Sequence, residues 1–264
     1  MKLLMDIGNH RLKWAFATPV QPGGEAISLV PDQLATGGAD WPDSLEPLGA
    51  AASAPQSVWI ASVAGADIND AVRRFVFDTW QLEARFLASV PSMCGIQNAY
   101  TEPGTLGVDR WAAMVGACAR AGSAPVLVID AGTAVTIDYV GTDRIFRGGV
   151  IFPGLHAMFN ALHVSTARIR AHLGEAQAGE LKLQNPDTRA AVDNGVRLAL
   201  AGAVSQAVQQ FRKVAGQGLQ IFITGGDAAW FRERVDCPMI FIPALVLEGV
   251  HVIATETDIG AVAK

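Results

Sequence analysis

Two short stretches of this 264-residue chain carry residues suited to holding a chain of phosphates: Asp6-Ile7-Gly8-Asn9 and Asp130-Ala131-Gly132-Thr133. In each, an apolar run (Lys2 to Ile7, Val126 to Asp130) brings an Asp to its end and a Gly to the turn that follows. A glycine turn has no side chain to block the approach of an anion to backbone N–H donors. The neighbouring carboxylate can hold a metal ion against the same phosphates, directly or through water. Lys13, on the strand returning from the first turn, adds positive charge. Taken singly, either stretch also fits an ordinary Asp-x-Gly bend. The recurrence of one unit at residues 6 and 130 argues against accident and suggests two copies of one domain plan.

The elements that must position these turns are readable from periodicity. Lys2 to Ile7 reads as a buried strand and Leu12 to Phe16 as its alternating return, a β-hairpin with glycine at the tip. Val126 to Asp130 and Val135 to Tyr139 repeat it. Val58 to Val63 reads as an inner strand, Ile68 to Trp80 as a helix and Trp111 to Ala121 as a small-residue helix. Val192, Val196, Leu200, Val204 and Val208 recur every four residues and define one face of a long helix. Leu219 to Ile223 is a strand feeding Thr224-Gly225-Gly226-Asp227, and Leu245 to Thr255 closes the chain as a helix. Residues 18 to 56, rich in Ala, Gly and Pro, read as loops around one short helix. The β-then-α order implies an α/β fold of two domains, 1–119 and 120–264, each a mixed sheet flanked by helices.

Composition narrows the partners. Half the residues are apolar and 17% are charged, which fits packed α/β domains rather than long disordered tails. A net charge of -5 with no Lys/Arg cluster argues against nucleic acid. The three cysteines, Cys94, Cys118 and Cys237, form no C-x-x-C pair, so neither a zinc site nor a disulfide framework is indicated, and a reducing compartment is expected. The N-terminal apolar run stops at Asp6 and no later run reaches the ~20 residues of a bilayer span, so a cytoplasmic protein without a membrane partner is expected. His156, His163, His172 and His251 show no ligand spacing beyond Glu248 three before His251, which is weak evidence for metal.

Four segments together carry a family resemblance: Asp6-Ile7-Gly8-Asn9-His10-Arg11-Leu12-Lys13, Gly107-Val108-Asp109-Arg110, Asp130 through Asp138, and Thr224-Gly225-Gly226-Asp227. In order and spacing they resemble type III pantothenate kinases, and Gly148-Gly149-Val150-Ile151-Phe152-Pro153-Gly154-Leu155 looks like a further family segment. The resemblance runs from residue 2 to about residue 250. It implies the actin-like ATPase superfamily, with two RNase H-like domains closing over ATP, a homodimer, and transfer of phosphate from ATP to pantothenate, the first step of coenzyme A biosynthesis. By the same resemblance the hairpin Asp6 to Lys13 and Thr133 hold the ATP phosphates, while Gly225 and Gly226 lie by the adenosine. Asp130 matches the ligand of a monovalent cation, K⁺ or NH₄⁺, and Asp6 is a candidate for Mg²⁺ through water. Asp109 matches the catalytic base, which accepts the hydroxyl proton during attack on the γ-phosphorus. Gly107, Val108 and Arg110 match substrate-binding positions, with the Arg110 guanidinium suited to the pantothenate carboxylate. Tyr100 and Thr188 match two further substrate contacts, Thr188 across the dimer.

Bland readings stand beside these. Asp109-Arg110 ahead of a helix also fits an N-cap with a surface ion pair, Thr188 also fits a helix N-cap, and Tyr100 also fits a half-buried aromatic. His10 stands where the family usually has Thr or Ser, so a hydroxyl donor is replaced by imidazole. The competing function is a catalytically weak nucleotide-binding regulator on the same fold, against which the intact Asp109 speaks. A dinucleotide oxidoreductase and a P-loop kinase both need motifs the chain lacks.

Overall fold

The computed structural model describes residues 1–9, 11–17, 32–35, 45, 48, 54–165 and 181–262. The chain forms two compact units, one of Met1–Ser123, Asp143–Arg147 and Ala244–Lys264, the other of Ala124–Thr142 and Gly148–Pro243. The closing helix, expected within 120–264, therefore belongs with the N-terminal unit.

In the first unit, β1 (Lys2–Ile7) and β2 (Arg11–Ala17) form the expected hairpin, with Ile7 opposite Leu12 and Asp6 opposite Lys13. On its other side β1 pairs in parallel with β4 (Ser57–Ser62), and β4 with β5 (Ala84–Phe86). A strand β3 (Asp32–Ala35) pairs with β2, inside the stretch read as loops and a helix; most of that stretch lies outside the described residues. Its four residues are too few for periodicity to mark, and it is the neighbouring β2 that makes them a strand. The sheet order is β3-β2-β1-β4-β5. Leu3, Leu4 and Met5 are all fully buried because β1 is covered on both faces. One face packs on Val72 and Val76 of helix α1 (Ala66–Trp80). Also in this unit are the short strands β6 (Ser92–Met93) and β7 (Ile96–Asn98), a 3₁₀ turn Pro103–Thr105, and helix α2 (Val108–Ala121).

The second unit repeats the plan. Its strands β8 (Val126–Ala131), β9 (Ala134–Val140), β10 (Ile145–Pro153), β11 (Gln220–Thr224) and β12 (Ile240–Phe241) stand in the order β10-β9-β8-β11-β12. Numbered from each hairpin, both sheets read 3-2-1-4-5, with 1 and 2 antiparallel and 1, 4 and 5 parallel. The first residues of β10 count with the first unit, where Ile145 and Phe146 pair with Gln97 and Asn98 of β7. Helix α3 (Leu155–Ser165) follows β10, and the long helix α4 (Thr188–Ala215) lays Val196, Leu200, Val204 and Val208 against Leu127, Ile129 and Ile137, as its four-residue period requires. Helix α5 (Ala228–Arg234) follows β11.

Helix α6 (Leu245–Val262) completes the first unit by packing along α2. Two glycines let the backbones meet: a Cβ on Gly249 would stand 1.7 Å from the carbonyl oxygen of Ala112, and one on Gly116 would stand 2.7 Å from that of Leu245. Arg120 of α2 clasps Glu248 of α6 through Nε (2.5 Å) and Nη2 (2.7 Å).

Candidate active site

The carboxylate of Asp109 sits in the first turn of α2, whose N-cap is Gly107 rather than Asp109. A Cβ on Gly107 would come within 2.6 Å of Asp109 Oδ1, so glycine is what makes room for the carboxylate to fold back on the helix start. There Oδ1 accepts the backbone N–H of Arg110 at 2.7 Å, one of the open donors of a helix N-terminus. Burial nevertheless wins: it raises the Asp109 pKa above the ordinary carboxylate value, while the Arg110 N–H and the guanidinium charge pull the other way. A carboxylate held this way is a better proton acceptor than one in water, which an N-cap with a surface ion pair would not be.

Arg110 is 9% exposed, so the surface-pair reading fails for it. Its Nη1 donates to the Tyr100 hydroxyl at 3.4 Å, and Tyr100 packs on Phe146 with ring centroids 5.2 Å apart. The Tyr100 N–H donates to Asn98 Oδ1 at 3.1 Å, and Asn98 Nδ2 donates to the carbonyl of Pro103 at 3.3 Å. Buried Asn98 and Phe146 thus aim Tyr100 at Arg110, and neither was marked by the sequence; an Asn two residues ahead of the Tyr is the only trace. An open cavity of about 410 Å³ lies alongside, lined by Ala99, Tyr100, Thr101, Glu102 and Thr105. The structure brings Tyr100, Gly107, Val108, Asp109 and Arg110 into one neighbourhood.

The Asp6 to Lys13 hairpin is in the same unit. Gly8 N–H donates to the Arg11 carbonyl at 2.9 Å, closing the turn that contains Asn9; His10 lies outside the described residues. Ile7 is core, Asp6 and Lys13 are half-buried opposite each other, and Leu12 anchors the return strand. In the second unit the corresponding turn is one residue shorter, since Ala131 faces Val135 where Ile7 faces Leu12. Gly132 N–H donates to the Ala134 carbonyl at 3.0 Å, and Thr133 is exposed at the tip. Half-buried Asp130 turns its carboxylate toward this turn, Oδ1 standing 3.9 Å from where a Cβ on Gly132 would be. Oxygen donors at a strand end beside a glycine turn fit a hard cation for both Asp6 and Asp130. Among the described residues no cluster of three or more His, Cys, Asp or Glu could hold a metal, so a cation here would need further oxygens, from backbone carbonyls, hydroxyls, its substrate or water.

Gly225 has φ +96°, and a Cβ on it would stand 2.3 Å from the Ala131 carbonyl oxygen, which accepts the Asp227 N–H at 2.9 Å. The Gly225-Gly226 loop is therefore docked on the second hairpin by backbone contact. Thr188 is the first residue of α4 and exposed; the N-cap is Asp187, whose Oδ1 accepts from Ala190 N–H at 2.8 Å, so the hydroxyl of Thr188 is not the cap. His251 is half-buried on α6 with Nδ1 unpartnered, and burial lowers its pKa, as for a core histidine.

A family model described as type III pantothenate kinase matches residues 2–210. The chain is 34% identical over 255 residues to a type III pantothenate kinase of Alkalilimnicola ehrlichii, covering 97% of this chain and 98% of that one. It is 33% identical over 271 residues to one of Burkholderia multivorans, covering 97% of each. Among solved structures, a protein of Campylobacter jejuni assigned to the Baf family of transcriptional activators superposes with TM-score 0.59 at 20% identity over 97% of this chain and 98% of that one. A protein of Sinorhizobium meliloti assigned as a 2-dehydro-3-deoxygalactonokinase gives 0.57 at 17% identity over 96% and 98%. At such identities these two likenesses speak for a shared fold and for nothing further.

Proposed function

The chain belongs to the type III pantothenate kinase family, and from that premise we propose how its residues transfer the γ-phosphoryl group of ATP to the primary hydroxyl of pantothenate. Asp109 takes the hydroxyl proton as the oxygen bonds to the γ-phosphorus and the bond to the β-phosphate oxygen breaks, leaving ADP and phosphopantothenate. Arg110 grips the pantothenate carboxylate, with Tyr100 holding the guanidinium plane. The Asp6 to Lys13 hairpin and the Thr133 turn take the phosphates, and Gly225-Gly226 flanks the adenosine. Asp6 would hold Mg²⁺ through water and Asp130 a monovalent cation, and such ions supply charge neutralisation on the phosphates. The carrying observation is a base raised by burial beside a buried Arg that is bonded to Tyr100. Thr188 contacts substrate from the partner subunit of a homodimer. The free cysteines support a reducing, cytoplasmic setting.

The test is ADP release with Mg²⁺-ATP, with and without pantothenate, in potassium, ammonium or sodium. Pantothenate-dependent ADP release with phosphopantothenate confirmed by mass is expected, faster with potassium or ammonium. ATP binding without product would replace the kinase by a nucleotide-binding regulator, and equal rates in all three salts would remove the cation from Asp130.

Arg110→Lys separates its role from that of Asp109. Lysine keeps the charge but loses the two-pronged grip and the Tyr100 contact. The KM for pantothenate is expected to rise roughly 10- to 100-fold, the effect of one charged hydrogen bond, with the KM for ATP unchanged. An unchanged pantothenate KM would move the carboxylate elsewhere.

A further inference from the structure

Gly154 joins β10 to α3, and its backbone lies flush against the second hairpin turn. Its N–H donates to the Thr133 carbonyl at 2.9 Å, and its own carbonyl accepts the Met158 N–H at 3.0 Å in the first turn of α3. A Cβ here would stand 2.1 Å from the Gly132 carbonyl oxygen and 2.8 Å from that of Thr133, distances no side chain can occupy. On the next residue back, the Ala131 carbonyl takes the Asp227 N–H, with Gly225 pressed against the same peptide. Three consecutive carbonyls of the turn are thus contacted by two loops. Every described peptide is trans, so with the Gly132 oxygen turned to Gly154 the Thr133 N–H is turned the opposite way.

We infer that Gly154 is a positioning residue for the phosphate turn: by fixing the Gly132 and Thr133 carbonyls from behind, it sets the direction in which the Thr133 peptide and hydroxyl meet ATP. The inference rests on the reading that Thr133 contacts the phosphates. It requires glycine for space rather than for φ, because any Cβ must push the turn forward. Gly132, whose own Cβ would meet nothing nearer than 3.8 Å, is not under that constraint.

Gly154→Ala is the test, with Gly149→Ala as a control of equal severity. A Cβ on Gly149 would stand 2.1 Å from the Ile137 carbonyl oxygen in the same unit, away from the turn. Both variants should unfold at lower urea than the parent protein. Only Gly154→Ala should raise the KM for ATP, by roughly 10- to 100-fold, the scale of a misplacement of about 1 Å, while the KM for pantothenate stays put. Equal effects of the two on the ATP KM, or none from a folded Gly154→Ala, would overturn the inference. Thr133→Val is run alongside: if it leaves the ATP KM unchanged, the phosphate reading of Thr133 itself fails. Should Gly154→Ala not fold, hydrogen exchange of the parent protein decides. The β,γ-imido analogue of ATP should slow exchange of the Gly154 amide and not of the Gly216 amide, which is bonded to Arg212 at 3.0 Å. An unaffected Gly154 amide overturns the inference.

Discussion

Asp109→Asn lowers kcat by about 10²- to 10⁴-fold, the range expected for removal of a general base. Asparagine keeps the shape, and its Oδ1 can still accept the Arg110 N–H that Asp109 accepts at 2.7 Å, so the helix start survives. What it loses is the capacity to take a proton. Two further readouts separate this from a structural defect. Burial raises the pKa of Asp109, and the base works only when ionised, so kcat/KM should climb with pH along an acid limb lying above the ordinary carboxylate value. The variant should lose that limb. Stability should move the other way. A folded-state pKa above the unfolded one means that the folded chain holds on to the proton longer. The contribution favouring folding is then fully present below the unfolded pKa and is lost as pH rises through the folded one. At neutral pH the native state carries the cost of an ionised buried carboxylate, which asparagine removes, so the variant should melt no lower than the parent protein and somewhat higher. Near-normal turnover in Asp109→Asn would exclude the assignment.

Gly249→Ala should be the most damaging single-methyl change in the first unit. The added carbon would stand 1.7 Å from the Ala112 carbonyl oxygen and 2.4 Å from its carbonyl carbon, both backbone atoms inside α2. No rotamer relieves the clash, so α2 and α6 must separate. Overpacking of this kind typically costs about 1–3 kcal/mol and more where nothing yields, and here the expected loss lies at or above the top of that range. Urea unfolding measures it. Ala112→Gly should not rescue the variant, because the obstacle is the peptide carbonyl and not the Ala112 methyl. Gly260→Ala, farther along α6 with nothing within 4 Å of its Cβ, should be neutral or slightly stabilising. Ala112 lies one helical turn beyond Asp109, so any surviving Gly249→Ala protein should also show depressed kcat. Full stability would mean that the helices do not cross at these glycines.

Residue types and spacing were enough for the parts whose signal is local. A strand ending in Asp, a Gly turn and an alternating return make a hairpin wherever they occur, and both hairpins formed at the positions their residues mark. The four-residue period of α4 likewise needs only its own side chains to show which face is buried. Asp109 and Arg110 stood out only through the family resemblance, since an Asp-Arg pair ahead of a helix by itself fits an N-cap with a surface ion pair equally well. Features made by residues far apart in the chain came into view with the fold. The return of α6 to the first unit, the strand at Asp32–Ala35, and the buried Asn98 and Phe146 behind Tyr100 depend on partners that no window of sequence contains. Glycine is the sharpest case. Gly107, Gly154, Gly225 and Gly249 look alike in the sequence, yet each is held against a different neighbour: a carboxylate, a hairpin turn, a strand end and a helix backbone. A missing side chain carries no record of what occupies its place, and only the folded chain brings that occupant there.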